Sequence, residues 1–346
     1  MLDSTQIAES KAIQRRTGRT FHVATRLLPE RIRHATYVLY AFFRIADDVV
    51  DDPNPPPPDV QREALRTIRR EALGELETDD PVLAAFRVVC ERYEIPDGEV
   101  EEFVAAMERD VDPERYGTHD DLDDYLRGSS VAVAYMMVAV MEPDDEATAR
   151  PHAKALGEAF QLTNFLRDVR EDVLEYGRIY LPRSTLDRHG VTDGEIERLE
   201  FSERFAAAMR AELERTEALY REGVDGIEYL PADCRFAVVL AAVLYADHHR
   251  LIRAQGYDVL SNRPSLSLSR RVELVARTWW HWRRTGDPRE TFEAASAVGA
   301  GAGEVSEDDR GERRPEDPAY GGDRDGSRPT RWLVSTVRSL VPRRFV

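Results

Sequence analysis

A helix buried on most sides that still carries acids along one side can exist only where something compensates those charges, and residues 156–173 spell such a helix. Residues three and four apart are neighbours on a helix surface, so Gln161, Asn164, Asp168 and Asp172 share one face. Leu156, Phe160, Leu166 and Val173 recur at helix-like spacing and are expected to form an opposite, core-facing side. A buried carboxylate without a partner is expensive, so this pattern calls for a cation or for hydrogen-bond donors. Mg2+, which takes oxygen ligands, suits a face of two carboxylates and two amides.

A matching stretch lies about 120 residues upstream, within Tyr37–Asp52. Tyr40, Arg44, Asp47 or Asp48, and Asp51 recur there at steps of three and four. A lone Asp-x-x-x-Asp pair usually marks a solvated surface. Two pairs in apolar surroundings, each with an arginine beside it (Arg44 and Arg167), point instead to two acidic helices that face each other.

The rest of the chain reads as all-α, with no convincing strand alternation. Helices are expected at 4–17, 30–52, 59–77, 81–93, 97–110, 119–141, 145–176, 193–198, 202–226, 231–255 and 269–284, with a loop at 177–192. Pro53 and the Pro55–Pro58 run stop the first acidic helix, because proline lacks the donor that would continue it. Trp279, Trp280 and Trp282 in the last helix are expected at a core or an interface. Past Gly286 the composition changes, which sets the expected boundaries at 1–286 for a folded body, 287–329 for an acidic Gly/Pro-rich linker and 330–346 for a basic amphipathic tail. In the tail, Trp332, Val337, Leu340 and Val341 fall near one helical face and Arg331 and Arg338 fall opposite, a pattern that fits either an anionic membrane surface or the acidic body itself.

Charge and cysteine content narrow the function. The net charge is −17, and of the 48 basic residues only Lys11 and Lys154 are lysine. Such acidity argues against nucleic-acid binding, which needs a basic footprint. It fits a halophilic source, where salt screens self-repulsion, although a GC-rich genome would also favour arginine. Cys90 and Cys234 form neither a disulfide framework nor a zinc site, which fits a reducing cytoplasm. No signal peptide or membrane-spanning run is legible, so the expected location is cytoplasmic or peripheral on the inner face of the cell membrane.

The two acidic stretches resemble those of the squalene and phytoene synthase family. Tyr40-Ala41-Phe42-Phe43-Arg44 followed by Asp47-Asp48-Val49-Val50-Asp51 is similar to the family's first aspartate motif, and Asn164 through Asp172 to its second. Gly177-Arg178-Ile179-Tyr180-Leu181-Pro182 is similar to a segment of phytoene synthases, and Thr20-Phe21 with Leu27-Leu28-Pro29 resembles the flap over the diphosphate end of the site. The resemblance covers roughly residues 8–285. It implies an all-α bundle of the class I isoprenoid synthase type with a central active-site cavity. It further implies head-to-head condensation of two prenyl diphosphates through a cyclopropyl diphosphate.

Carried over residue by residue, the resemblance makes Asp47, Asp48, Asp51, Asp168 and Asp172 both the catalytic and the metal-holding acids, for Mg2+ with Mn2+ as a substitute. Arg44 and Arg167 would steady the departing diphosphate, and Tyr40, Gln161, Asn164, Tyr245, Arg19, Thr20 and Arg263 would contact it. For Arg44 and Arg167 the plain alternative is charge balance of the neighbouring aspartates, and for Tyr245 it is a core tyrosine. Tyr125-Leu126-Arg127-Gly128-Ser129-Ser130-Val131-Ala132-Val133-Ala134 departs from the family pattern in identity while keeping small residues. Gly18 stands where many members have serine, and Arg263 lies one residue later than usual.

The resemblance favours geranylgeranyl diphosphate as substrate and phytoene as product, the first committed step of carotenoid biosynthesis, with a downstream carotenoid desaturase as partner. The alternatives are squalene or dehydrosqualene from farnesyl diphosphate, a chain-elongating prenyl synthase, and a non-catalytic scaffold. No nicotinamide cofactor is expected; no Gly-x-Gly-x-x-Gly fingerprint is visible, but that absence weighs little, since squalene synthases bind their reductant without one.

Overall fold

The computed structural model describes residues 4–298 except Gly18 and Pro53; the side chains of residues 4, 5, 15–17 and 19–21 lie outside that description, as does everything from residue 299 on. The chain runs through α1 (Ser4–Thr17), α2 (Arg19–Thr25), α3 (Glu30–Val50), α4 (Pro58–Ala72), α5 (Pro81–Arg92), α6 (Asp97–Val111) and α7 (His119–Leu126). A π-helical turn (Arg127–Val131) leads into α8 (Ala132–Met141), and α9 (Glu146–Tyr176), α10 (Arg183–Arg188), α11 (Asp193–Glu197) and α12 (Glu203–Asp225) follow. After a 3-10 turn (Gly226–Tyr229) come α13 (Ala232–Ala254), α14 (Leu268–Thr285) and α15 (Pro288–Ala295). Among the described residues there is no strand, as the periodicity predicts.

Capping explains many of the starts. Asp80, Thr118, Asp145, Thr192, Ser202, Ser267 and Asp287 each accept a hydrogen bond from a backbone N–H in the first turn of the following helix. At Thr118 and Thr192 the carboxylate three residues on returns the bond, completing a capping box.

Helix α9 lies between two apolar clusters. Leu156, Ala159, Leu162 and Phe165 enter the larger one, and Leu166 and Val169 enter a smaller one shared with α12 and the 177–191 segment. The single apolar face expected from sequence is therefore divided. Phe160, one turn before Asn164, is half-buried and packs against the larger cluster, its ring 5.9 Å from that of Tyr220 and 5.0 Å from that of Tyr245. Helix α12 approaches α9 closely because glycine allows it; a Cβ on Gly223 would lie 2.6 Å from the Leu156 backbone nitrogen. On the other side, Phe42 of α3 stacks on Phe86 of α5 at 3.8 Å.

Several elements depart from the sequence reading, among them the helix expected at 59–77, which ends at Ala72. Thr17–Thr20 does break the first helix, but α2 starts again at Arg19. The loop at 177–192 contains α10, too short at six residues to show a periodicity. The boundary at 286 is too early, because α15 follows it and buries Thr291, Phe292 and Ala295, with Val298 just beyond. A Gly-Asp-Pro sequence closes α14 and caps α15 at once, and composition alone takes it for the start of a linker. The remainder of the proposed linker and the 330–346 tail lie outside the described residues.

Candidate active site

Both acidic motifs occupy the C-terminal ends of their helices. Asp47 and Asp48 lie in the last turn of α3 and Asp51 caps it, with no basic residue in that turn. Asp172 lies in the last turns of α9, again without a basic residue in the last turn. A helix C-terminus carries the negative end of the macrodipole, which disfavours acids by about 0.3–1 kcal/mol each. Two helices ending this way next to one another need positive charge from elsewhere.

Arginines supply part of it. Arg44, buried one turn back on α3, reaches Asp48 at 2.6 Å and Asp47 at 3.9 Å. Burial drives Asp47 up to about 7, the charge of Asp51 adds to this, and Arg44 opposes it. Burial also raises Asp51, against the pull of Arg178. On α9, Arg167 Nε donates to Asp168 at 2.6 Å, and Arg263 donates through two nitrogens at 2.7 and 3.1 Å. Burial alone would raise Asp168, but these two guanidinium groups outweigh it and hold the carboxyl below the usual range. Asp172 is pushed well up by burial and then by Asp168 and Glu171, with Asp51 of α3 adding to the repulsion.

The segment after α9 joins the motifs. Gly177, at φ +64°, takes the left-handed conformation that ends a helix without steric cost. Arg178 N then bonds back to Asp172 O at 2.9 Å. From this turn the buried Arg178 side chain donates to Asp51 Oδ1 at 3.0 Å, to Val50 O at 3.1 Å and to Asp110 O at 3.0 Å. Asp110 accepts from the Tyr125 hydroxyl at 2.7 Å and from Tyr180 at 3.4 Å. Tyr180 stacks on Phe165 of α9 at 3.8 Å, covering this end of the polar cluster.

The other expected residues distribute as follows. Tyr40, Gln161 and Asn164 are half-buried, Tyr40 on the same helix as the first motif and the two amides on the acidic side of α9. Arg263, one residue later than the family pattern, is brought to the acidic side of α9: besides Asp168 it pairs with Glu171 at 2.8 Å. Arg44 and Arg167 do balance aspartates, the plainer of their two expected roles. Tyr245, on α13, is buried against Phe160. The side chains of Arg19 and Thr20 lie outside the described residues.

Sequence reasoning assigned no role to Asp110, Tyr125, Glu171, Arg178 or Tyr180. Arg178 and Tyr180 stood in a segment already singled out. Asp110 carried no signal, being one of 65 acids with its partners far along the chain.

Among the described residues, no group of three or more His, Cys, Asp or Glu side chains converges to hold a metal ion. Asp168 is instead claimed by two arginines, and Asp48 by Arg44. The donor chemistry nonetheless fits a hard divalent cation: Asp47, Asp51 and Asp172 are oxygen donors at two helix ends, and the charge of Asp51 repels each of the other two.

Comparison with known proteins agrees with the motifs. A family model for squalene/phytoene synthase matches residues 14–270. A phytoene synthase of Cereibacter sphaeroides is 33% identical over 288 residues, 80% of this chain and 79% of the relative. One of Thermus thermophilus is 34% identical over 272 residues, 75% and 88% of the two chains. Among solved structures, a dehydrosqualene synthase in complex with ligand superposes with a TM-score of 0.73 at 29% identity, covering 81% of this chain and 97% of that one. A squalene synthase from Alicyclobacillus acidocaldarius gives 0.63 at 26% identity, covering 74% and 97%. With opposed acidic helix ends joined by Arg178 and a family match across most of its length, this chain belongs to the squalene/phytoene synthase family and is a prenyltransferase.

Proposed function

We propose that the protein condenses two geranylgeranyl diphosphates head to head, through a cyclopropyl diphosphate, to phytoene. The observation that carries this reading is the bridge from the end of α9 to the end of α3, Arg178 to Asp51 at 3.0 Å, which brings the two aspartate motifs to one place. The names of relatives about a third identical support the twenty-carbon substrate.

Asp47, Asp48, Asp51, Asp168 and Asp172 would hold Mg2+, which when bound neutralises the diphosphate and makes it a better leaving group. The chain's own residues do the rest. Arg44, Arg167 and Arg263 are positive charges already pinned in place, able to turn from carboxylate to diphosphate oxygens with little reorganisation. Gln161 and Asn164 orient the bound diphosphate from the same face of α9. The Phe165–Tyr180 stack provides an apolar wall that keeps water from a carbocation. We place the enzyme in carotenoid biosynthesis, its product being an apolar hydrocarbon suited to a membrane-bound desaturase.

A second reading, dehydrosqualene or squalene from farnesyl diphosphate, is favoured by the identity of the solved structures that superpose on the chain. The two are separated by incubating purified protein with Mg2+ and each diphosphate, and weighing the hydrocarbons. A forty-carbon product from geranylgeranyl diphosphate is expected; a thirty-carbon product from farnesyl diphosphate alone would establish the second reading. Asp47→Ala and Asp168→Ala should each lower turnover by about 100-fold or more. Near-normal turnover in either would remove that acid from the metal site.

A further inference from the structure

Helix α14 has two apolar sides. Leu274 and Thr278 are buried, and Trp282 packs on the core with its ring 5.8 Å from that of Phe236, so one side docks on the body. On the far side, Leu268, Val272 and Trp280 are 55%, 46% and 50% exposed. With Ala276 and Trp279 they fall within about 120° of arc. A helix on an acidic protein should turn polar residues outward here.

The charge of the helix is equally out of keeping with its host. It holds Arg270, Arg271, Arg277, Arg283 and Arg284 against Glu273 alone, in a chain of net charge −17. Arg270 is committed to Asp247 at 2.8 Å and Glu273 at 2.7 Å. Among the described residues, Arg283 and Arg284 pair with no carboxylate; they lie over Trp279 and Trp280, 5.8 and 4.5 Å from the ring centroids. Exposed Leu, Val and Trp rimmed by arginines match the interface of an anionic bilayer, where indole and aliphatic groups enter the acyl boundary and guanidinium groups meet headgroup phosphate.

We propose that the exposed side of α14 is the surface by which the protein rests on an anionic lipid bilayer. A chain of net charge −17 is repelled by such a surface over most of its own, so it must approach by a basic face, and α14 combines that charge with exposed apolar side chains. A second copy is a poorer occupant: a two-fold contact would set the unpaired arginines of one copy against those of the other. The surface is read from exposure and charge alone and does not depend on which prenyl diphosphate is condensed.

The test is flotation of the full-length protein with vesicles of phosphatidylglycerol and phosphatidylcholine, or of phosphatidylcholine alone, in salt that preserves its helical circular dichroism. Flotation should be strong only with the anionic vesicles. It should fall on the order of tenfold in Val272→Ser/Trp280→Ser and again in Arg283→Glu/Arg284→Glu, whose exposed positions leave the fold unaltered. An Arg338→Glu/Arg343→Glu/Arg344→Glu chain separates the tail from α14. Undiminished flotation of both α14 variants, loss in the tail variant alone, or a dimer in size-exclusion that Trp280→Ser dissolves would each overturn the proposal.

Discussion

Asp47 titrates against its own helix. Its folded pKa of about 7 lies above the unfolded value near 3.8, so between those limits the native state binds the extra proton and stability falls as pH rises. The Asp47 contribution is fully unfavourable above about pH 7 and vanishes below about pH 4. Asp47→Asn should therefore stabilise the metal-free protein at pH 8 and show little difference from wild type at pH 4. The gain should be about 1–2 kcal/mol, discounted from the full shift because the side chain is 35% exposed and water screens it. Urea unfolding of both proteins at the two pH values checks this; a variant less stable at pH 8 would contradict the repulsion inferred at the end of α3. Arg178 makes the opposite case. Its removal in Arg178→Ala leaves Asp51 and the buried Asp110 without their cation, and should cost about 3–5 kcal/mol in the same measurement. The paired aspartates of both motifs could be read from their three- and four-residue spacing, a local property. Arg178 to Asp110 is a contact across 68 residues, and no pattern within either helix encodes it.

At the scale of elements, the long helices were legible because each repeats its apolar face several times and is stopped by proline, glycine or a capping side chain. Helix α9 was expected at 145–176 and runs Glu146–Tyr176. Short elements escape that logic, and so does irregular helix: residues 119–141 read as one helix, yet contain the π turn at Arg127–Val131. Gly128 explains how that turn packs. A Cβ there would lie 2.2 Å from the Glu102 carbonyl oxygen of α6 and 2.7 Å from Ala106 Cβ. Gly128→Ala should destabilise by about 1–3 kcal/mol through overpacking. Gly98→Ala, where an added Cβ meets nothing within 4 Å, should be neutral or stabilising. Equal melting temperatures for the two variants would show that the α6 contact is not tight. Gly128 thus serves helix contact with α6, and Gly157 of α9 lets that helix approach the same stretch, since a Cβ there would lie 3.1 Å from Ser130 O.

Over the whole molecule, charge rather than core sets the response to solvent. All described residues belong to one compact unit, and its surface must carry much of a net charge of −17. Self-repulsion of that size is relieved as the Debye length shrinks from about 8 Å in physiological salt to about 3 Å at 1 M. Raising NaCl from 0.15 to 2 M should increase the melting temperature by roughly 5 °C or more. A melting temperature unchanged across that range would favour the codon-bias explanation of the arginine-rich, lysine-poor composition over a halophilic one. No helix among the described residues is long and apolar enough to cross a membrane.

Helical class, the two aspartate motifs and the family they resemble all follow from residues a few positions apart, since helix periodicity and capping are local rules. Which acids carry a charge does not. Asp168 and Asp172 sit one turn apart on one helix, yet the first is held low by Arg167 and Arg263 and the second is driven up by burial and by like charges. Burial and electrostatics depend on distance in space, so only the folded chain, bringing Arg263 to α9 and Arg178 to α3, could separate them. The same holds for the end of the domain, where a Gly-Asp-Pro break is indistinguishable from a linker until Phe292 is seen buried in the core.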